Sequence, residues 1–342
     1  MMKGIDFTDM PKRNKTYAGA SGSKIAVIYE NEQYMIKFPS IPTKNKDLSY
    51  SNSCFSEYLG CKIYECAGIP VQKTILGIYR VKDREKIVVA CRDFTEPGIT
   101  LQDFASLKNR MIDSERNGYG TELADILYTI EDQTAVDKVS LSDRFWDMFV
   151  VDAFIGNWDR HNGNWGFLYD TRTDQMKLAP VFDCGSSLYP QADERMMKLI
   201  LSDHNERNLR IYEKPTSAIL LNGRKIKYFD FMSSLQYEDC NRAIKRTVPK
   251  IDMKKVLSII EETSYISDLQ REFYSTMLSS RKERILDYVL NHLSRDTVYI
   301  SGDKLSKDSV LKKLEHNKQE IGSRTDTEAK TVGNSRDQQE RI

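Results

Sequence analysis

The sequence predicts an α+β chain with a small strand-rich N-terminal part and a larger, mainly helical C-terminal part. Three observations lead there. Short β-prone runs dominate the first 95 residues, amphipathic helical runs dominate from Pro97 to about Ser294, and a charged tail without aromatics follows. These shifts put the expected boundaries at 1–95, 96–300 and 301–342.

In chain order, residues 25–29 and 34–38 are β-prone runs around Glu30-Asn31-Glu32-Gln33, which predicts a hairpin. A polar loop over 40–52 carries Pro42. A helix is expected over 53–67. There Phe55, Leu59, Ile63 and Ala67 recur every four residues, Asn52 or Ser53 stands at the cap, and Gly68 with Pro70 ends it. Two further strands are expected at 71–79 and 87–90. Beyond Pro97, helices are predicted at 121–130 and 141–155, the latter with Phe145, Met148 and Phe149 inward. Strands are predicted at 165–169 and 176–181. The segment 219–228 contains Asn222-Gly223, a strong hairpin signal. Helices resume at 252–263 and 266–293. Residues 301–342 hold nine basic and eight acidic residues. Such a stretch cannot bury enough apolar surface to order itself, so a fraying helix and a disordered tail are expected.

Composition excludes several classes. With 342 residues, about two domains are expected. Lys+Arg 51 against Asp+Glu 50 leaves a net charge of +1. No overall field therefore draws the chain to nucleic acid or an anionic membrane. No apolar run is long enough for a membrane span. Residues 1–15 lack the apolar core of a secretory signal, so a cytoplasmic location is expected, with export by a non-classical route left open. Six cysteines without a CxxC and only four histidines argue against a zinc site or a disulfide scaffold.

The sharpest stretch runs from Gly156 to Gly166, GNWDRHNGNWG, between an apolar helix and a strand. The segment APVFDCGSS, with Asp183, follows after a second strand. Phosphoryl transfer from a nucleotide needs a carboxylate to orient the acceptor hydroxyl and oxygen ligands for Mg²⁺. Asp159 suits the first role; Asn164 and Asp183 suit the second. DxxxxN alone is weak, since Asp and Asn are common turn residues. With D-x-G after a second strand it is fairly specific to a two-lobed, protein-kinase-like architecture. His161 either contacts nucleotide or braces the loop, and Arg160 is expected to fix loop geometry. In the N-terminal part, Ala18-Gly19-Ala20-Ser21-Gly22-Ser23-Lys24 offers small residues whose amides can approach phosphate oxygens. It is not a Walker A loop. Lys37 ends a strand from which it can reach phosphates. Glu57 is its expected ion-pair partner, with Glu65 the competitor. Cys91, Arg92 and Asp93 follow a strand where a hinge would receive adenine through backbone groups.

Taken together, N-x-D-R-H-x-x-N-x-G, L-A-P-V-F-D-x-G-S-S, the A-G-A loop, the Lys37 strand and the helix near Glu57 resemble the HipA-like serine/threonine kinases. Within them the chain looks closest to the stand-alone CtkA-type branch. The resemblance runs over roughly 15–295. It implies ATP- and Mg²⁺-dependent phosphorylation of protein Ser/Thr, with Asp159 as base, Asn164 and Asp183 as metal and phosphate ligands, 18–24 as phosphate loop, and His161 and Phe182 against the nucleotide. Only about fifteen residues precede the loop, so neither a HipB-like partner nor nucleic acid is expected. The loop is also one residue longer than A-G-A-Q-E-K, which leaves its alignment past Ala20 open. Autophosphorylation is expected at Thr16, Ser21 or Ser23. A phosphoinositide-type lipid kinase is the competing reading, because D-R-H-N-x-N with D-x-G suits it too. The low charge and the absence of a Lys/Arg cluster after Leu188 argue against it. A nucleotide-binding pseudokinase is disfavoured because Asp159, Asn164, Asp183 and Lys37 are all present.

Overall fold

The computed structural model describes residues 5–17, 23–39, 52–82, 84–111 and 117–299. The expected loop residues Ala18 to Gly22, most of the 40–52 loop and the tail over 301–342 lie outside these. Met1–Leu293 is one compact unit.

Six strands build the N-terminal sheet. They are β1 (Ile5–Asp6), β2 (Lys12–Arg13), β3 (Lys24–Tyr29), β4 (Glu32–Lys37), β5 (Thr74–Val81) and β6 (Arg84–Arg92), in the spatial order β1-β5-β6-β4-β3-β2. Only the β1–β5 pair is parallel. The β3–β4 turn is tighter than the four residues expected. Glu30 and Asn31 alone make it, both with positive φ (50° and 62°), as a two-residue turn matched to strand twist requires. Helix α1 (Ser53–Cys66) lies where its four-residue apolar spacing predicted. Its cap differs. Asn52 makes no capping bond; its amide donates to Ala192 O at 2.7 Å and its Oδ1 accepts from Gln270. At the other end Ile69 N reaches back to Tyr64 O at 3.1 Å and closes the helix.

The rest is mainly helical. A three-stranded sheet of β7 (Ile99–Asp103), β8 (Gly166–Asp170) and β9 (Gln175–Leu178) is set among α2 (Phe104–Met111), α3 (Leu123–Asp132) and α4 (Lys138–Ile155). Strand β7 and helix α2 have no counterpart in the sequence reading. Then come α5 (Glu194–Ser202), α6 (His204–Asn208), the β10 (Leu220–Leu221) and β11 (Arg224–Lys225) hairpin, α7 (Tyr228–Ser233), α8 (Glu238–Thr247), α9 (Met253–Glu262), α10 (Asp268–Arg281) and α11 (Tyr288–Tyr299). A π-helical stretch, Lys282–Asp287, divides the expected 266–293 helix.

The main core joins α1, with Leu59, Ile63 and Tyr64, to α4, with Phe149, Val150 and Phe154, and includes Leu76 and Val89 of the sheet. The other face of the N-terminal sheet has its own cluster around Phe7, Val27, Ile36 and Val88. The change at residue 95 is thus one of secondary structure within a continuous body. Helix α1 is the shared wall, and it lines up the ends of β4 and α4.

Candidate active site

The register of the β3–β4 hairpin sets Lys37 directly opposite Lys24. Two like charges facing each other across a strand pair are unfavourable unless anions offset them. Two carboxylates do so. Lys37 Nζ lies 2.9 Å from Glu57 Oε2 and 3.1 Å from Asp183 Oδ1. Burial alone would lower the Lys37 ammonium, but Asp183 and Glu57 outweigh it and hold its pKa well above the usual lysine value. The same contact with Lys37 pulls Asp183 below the usual aspartate value, against burial. Lys24 is pushed down, first by burial and then by Lys37.

Glu57 is 1 % exposed on α1. Its second oxygen accepts the Cys184 amide at 3.2 Å, so one carboxylate ties the lysine strand to the D-C-G segment. Glu65 pairs instead with Lys62 at the surface. The close approach of α1 to that segment needs a glycine: a Cβ on Gly60 would lie 2.7 Å from Cys184 Cβ. Asp183 itself has φ +59°, which an aspartate tolerates better than most side chains.

The other half of the site begins where α4 stops. Gly156, with φ +64°, turns the chain out of the helix. Four residues earlier, Asp152 is 1 % exposed. It accepts from Tyr64 OH at 2.8 Å, Asn157 Nδ2 at 2.9 Å and Arg160 Nε at 3.0 Å. Arg160 also donates to Asn164 O at 2.7 Å and to Phe182 O, and reaches Cys184 Sγ. Burial would lower its pKa, yet Asp152 holds it well above the usual arginine value. Arg160 therefore clamps the loop that carries Asp159 to the segment that carries Asp183.

Asp159 projects from this braced loop. Its carbonyl accepts from Asn164 Nδ2 at 2.8 Å and from His161 N at 2.8 Å. Burial raises the Asp159 carboxyl above the usual aspartate value, His161 and Arg160 pull it back, and Asp183 adds to the rise. Because the Asn164 amide nitrogen is committed, its Oδ1 is the atom left for a ligand. Asp183 and Asn164 together offer hard oxygen donors, the chemistry that suits Mg²⁺. Among the described residues no cluster of three or more His, Cys, Asp or Glu suits a metal. A cation here would complete its shell from phosphate oxygens and water.

His161 lies against Tyr119, with ring centroids 6.3 Å apart, and its Nδ1 accepts from Gly163 N. Phe182 meets Phe94 with centroids 5.8 Å apart. The expected hinge is partly committed. Cys91 is fully buried in the ladder, Arg92 N donates to Lys73 O, Arg92 O accepts from Gln72, and Asp93 N donates to Gln33 O. Cys91 and Arg92 thus have no backbone group to spare for adenine, which corrects that expectation. Among the described residues, the Asp93 carbonyl and the Phe94 amide have no such bond. Thr16 and Ser23 are exposed, whereas Ser21 lies outside the described residues.

The chain is similar to known proteins over most of its length. A model of the HipA-like C-terminal domain matches residues 15–265. The chain belongs to that family. Its relatives include the serine/threonine-protein kinase CtkA of Helicobacter pylori strain J99, 48% identical over 290 residues, 84% of this chain and 87% of that protein. The crystal structure of a Helicobacter pylori proinflammatory kinase CtkA overlays with a TM-score of 0.79 at 45% identity, covering 85% of this chain and 98% of that one.

Several residues of this HipA-like domain escaped the sequence reading. Asp152 stands inside the apolar run Val150-Val151-Asp152-Ala153-Phe154, and a lone acid there is itself a signal of a buried partner. Phe94 had no signal. The Asp93 side chain, rather than its amide, is the busy group: it takes Tyr17 OH at 2.8 Å, Gln33 Nε2 at 2.7 Å and Lys15. Burial raises its pKa, but the bonds from Lys15, from the Thr95 hydroxyl and amide and from Tyr17 outweigh it and leave the carboxyl below the usual value.

Proposed function

We infer that this HipA-like chain is a serine/threonine-protein kinase that uses ATP with Mg²⁺, with Asp159 as its base. The observation that carries this reading is the placement of Lys37 between Glu57 and Asp183, the latter on a segment clamped to the Asp159 loop. Lys37 and Lys24 supply positive charge for the phosphates. Asp183 and the Asn164 Oδ1 would hold Mg²⁺, which when bound neutralises the charge on the phosphates. Asp159 orients the acceptor hydroxyl and takes its proton; a carboxyl with a raised pKa is the better acceptor. Phe182 and Phe94 offer apolar surface for the base, beside the Asp93 carbonyl and the Phe94 amide. Residues 18–24 remain the proposed phosphate loop, and Thr16, Ser21 and Ser23 the proposed autophosphorylation sites. Among the described residues no helix is long and apolar enough to cross a membrane.

The test is mass spectrometry after incubation with Mg·ATP, wild type beside Asp159→Ala. It is run alone, with a generic protein acceptor, and with phosphoinositide vesicles. Phosphate on protein Ser or Thr, absent in the variant, is expected. Phosphate on lipid alone, or none anywhere with ATP bound, would overturn the reading.

A further inference from the structure

The β10–β11 hairpin is fastened to the catalytic loop at both ends. On its entry side, buried Asn162 donates to Gly118 O and Gly120 O, both at 2.8 Å. That segment in turn accepts Leu220 N at Thr121 O, 2.9 Å. The Glu122 carboxylate receives the Asn222 amide at 2.6 Å and the Gly223 amide at 3.0 Å, which holds the hairpin tip. On its exit side, Tyr228 OH donates to Asn157 O at 2.6 Å. Ile219 and Ile226 root the hairpin in the core. The hairpin therefore keeps a fixed position relative to Asp159, two residues past Asn157.

What it presents is positive. Arg224 and Lys225 are exposed. Among the described residues neither forms an ion pair, whereas the next lysine, Lys227, pairs with Glu213 and Asp230. Glu122, the nearest acid along the hairpin's anchor, is occupied by two amides. Lys225 is near enough to Asp159 to draw its carboxyl pKa down. Exposed Tyr119 stands beside His161 on the same anchoring segment. Two cations without an ion pair among the described residues, in a chain of nearly balanced charge and on a hairpin tied to both flanks of the Asp159 loop, are a surface complementary to acidic protein.

We propose that the β10–β11 hairpin is the acceptor-docking element, and that Arg224 and Lys225 select Ser or Thr flanked by Asp or Glu. This rests on the kinase reading above. Exposed pairs of this kind contribute modestly, so each cation should favour an acidic acceptor by roughly threefold to fivefold, and the preference should shrink as salt rises.

The experiment uses the full chain with Mg·ATP and three peptides that differ only in the residues around one Ser: Glu, Ala or Lys. Wild type is expected to transfer to the Glu peptide with the highest kcat/KM. Arg224→Ala and Lys225→Ala should each reduce the Glu-to-Ala ratio, and the double variant Arg224→Glu with Lys225→Glu should favour the Lys peptide. No preference in wild type, or no transfer to the Glu peptide while Asp159-dependent autophosphorylation persists, overturns the docking role and leaves the kinase reading standing. Equal loss on all three peptides in Lys225→Ala also overturns it, since that would place Lys225 on the transferred phosphoryl group. Absence of any Asp159-dependent transfer would remove the kinase reading itself.

Discussion

Lys37 and Arg160 both reach the short segment over 182–184, one from the sheet and one from the loop that carries Asp159. Lys37 meets it through the side chain of Asp183, which is 39% exposed. Arg160 meets it through the Phe182 carbonyl, with Asp152 behind it, and both side chains of that pair are sealed at 4% and 1% exposure. The open pair can exchange partners: an anion or a cation arriving from solvent competes with Lys37–Asp183. The sealed pair cannot, because breaking it strands a charge in the interior. Burial, more than charge type, decides which ion pair is open to exchange and which holds the frame.

The comparison is broken most severely at the open side. Asp159→Ala should lower kcat by about 100-fold or more with nucleotide affinity nearly intact. Asp183→Ala should lose both kcat and Mg²⁺-dependent nucleotide affinity. Steady-state kinetics with a nucleotide-binding titration separates the two, and equal behaviour of the variants would show that Asp183 is not a ligand.

Arg160→Ala attacks the sealed side. With Asp152 left charged and buried, it should cost about 3–5 kcal/mol of folding stability. Urea unfolding checks this. A loss of under about 1 kcal/mol would mean that water enters the site and the frame is softer than its burial suggests.

Glu57→Gln tests the junction. The amide can still accept from Cys184 N, so the fold should persist, while Lys37 loses one of its two anions. A fall of about tenfold in kcat/KM for ATP is expected, on the order of one charged hydrogen bond. No change would mean that Asp183 alone positions Lys37.

The smallest effect sharpens the difference by pH. Asp159 is raised by burial, so on acidification it takes its proton at a higher pH than an ordinary aspartate, and transfer falls first. Asp183 is lowered by Lys37, so its contribution to stability is present above the ordinary aspartate pKa and is lost only as pH falls through the lower folded value. A pH–rate profile should therefore drop while thermal unfolding still reports an intact fold. Coincident loss of both would contradict the separation.

Part of this site could be read locally. Asp159, Asn164 and Asp183 stand in turn-forming segments whose spacing is itself chemical, and α1 announced itself by four-residue periodicity. Strand β7 and helix α2 did not, because residues 99–111 carry neither clean alternation nor a wide apolar face. Glu57 and Glu65 are the same residue type on the same helix; what separates them is tertiary burial, which seals Glu57 against Lys37 and leaves Glu65 at the surface with Lys62. The hinge went astray because backbone donors carry no side-chain signature, and only the register of β6 against β4 and β5 shows which are already used.

The sequence by itself determined which groups could do chemistry: the carboxylates, the amide and the lysine, each on an element of recognisable type. Tertiary structure alone decided which were sealed and which were open. It buried Asp152 with Arg160, left Asp183 partly exposed, and tied the Arg224–Lys225 hairpin to the loop that carries Asp159. The reason is physical. Residue type fixes charge and hydrogen-bonding capacity, whereas burial and partner distance depend on segments far apart in the chain, brought together by a core that no local pattern encodes.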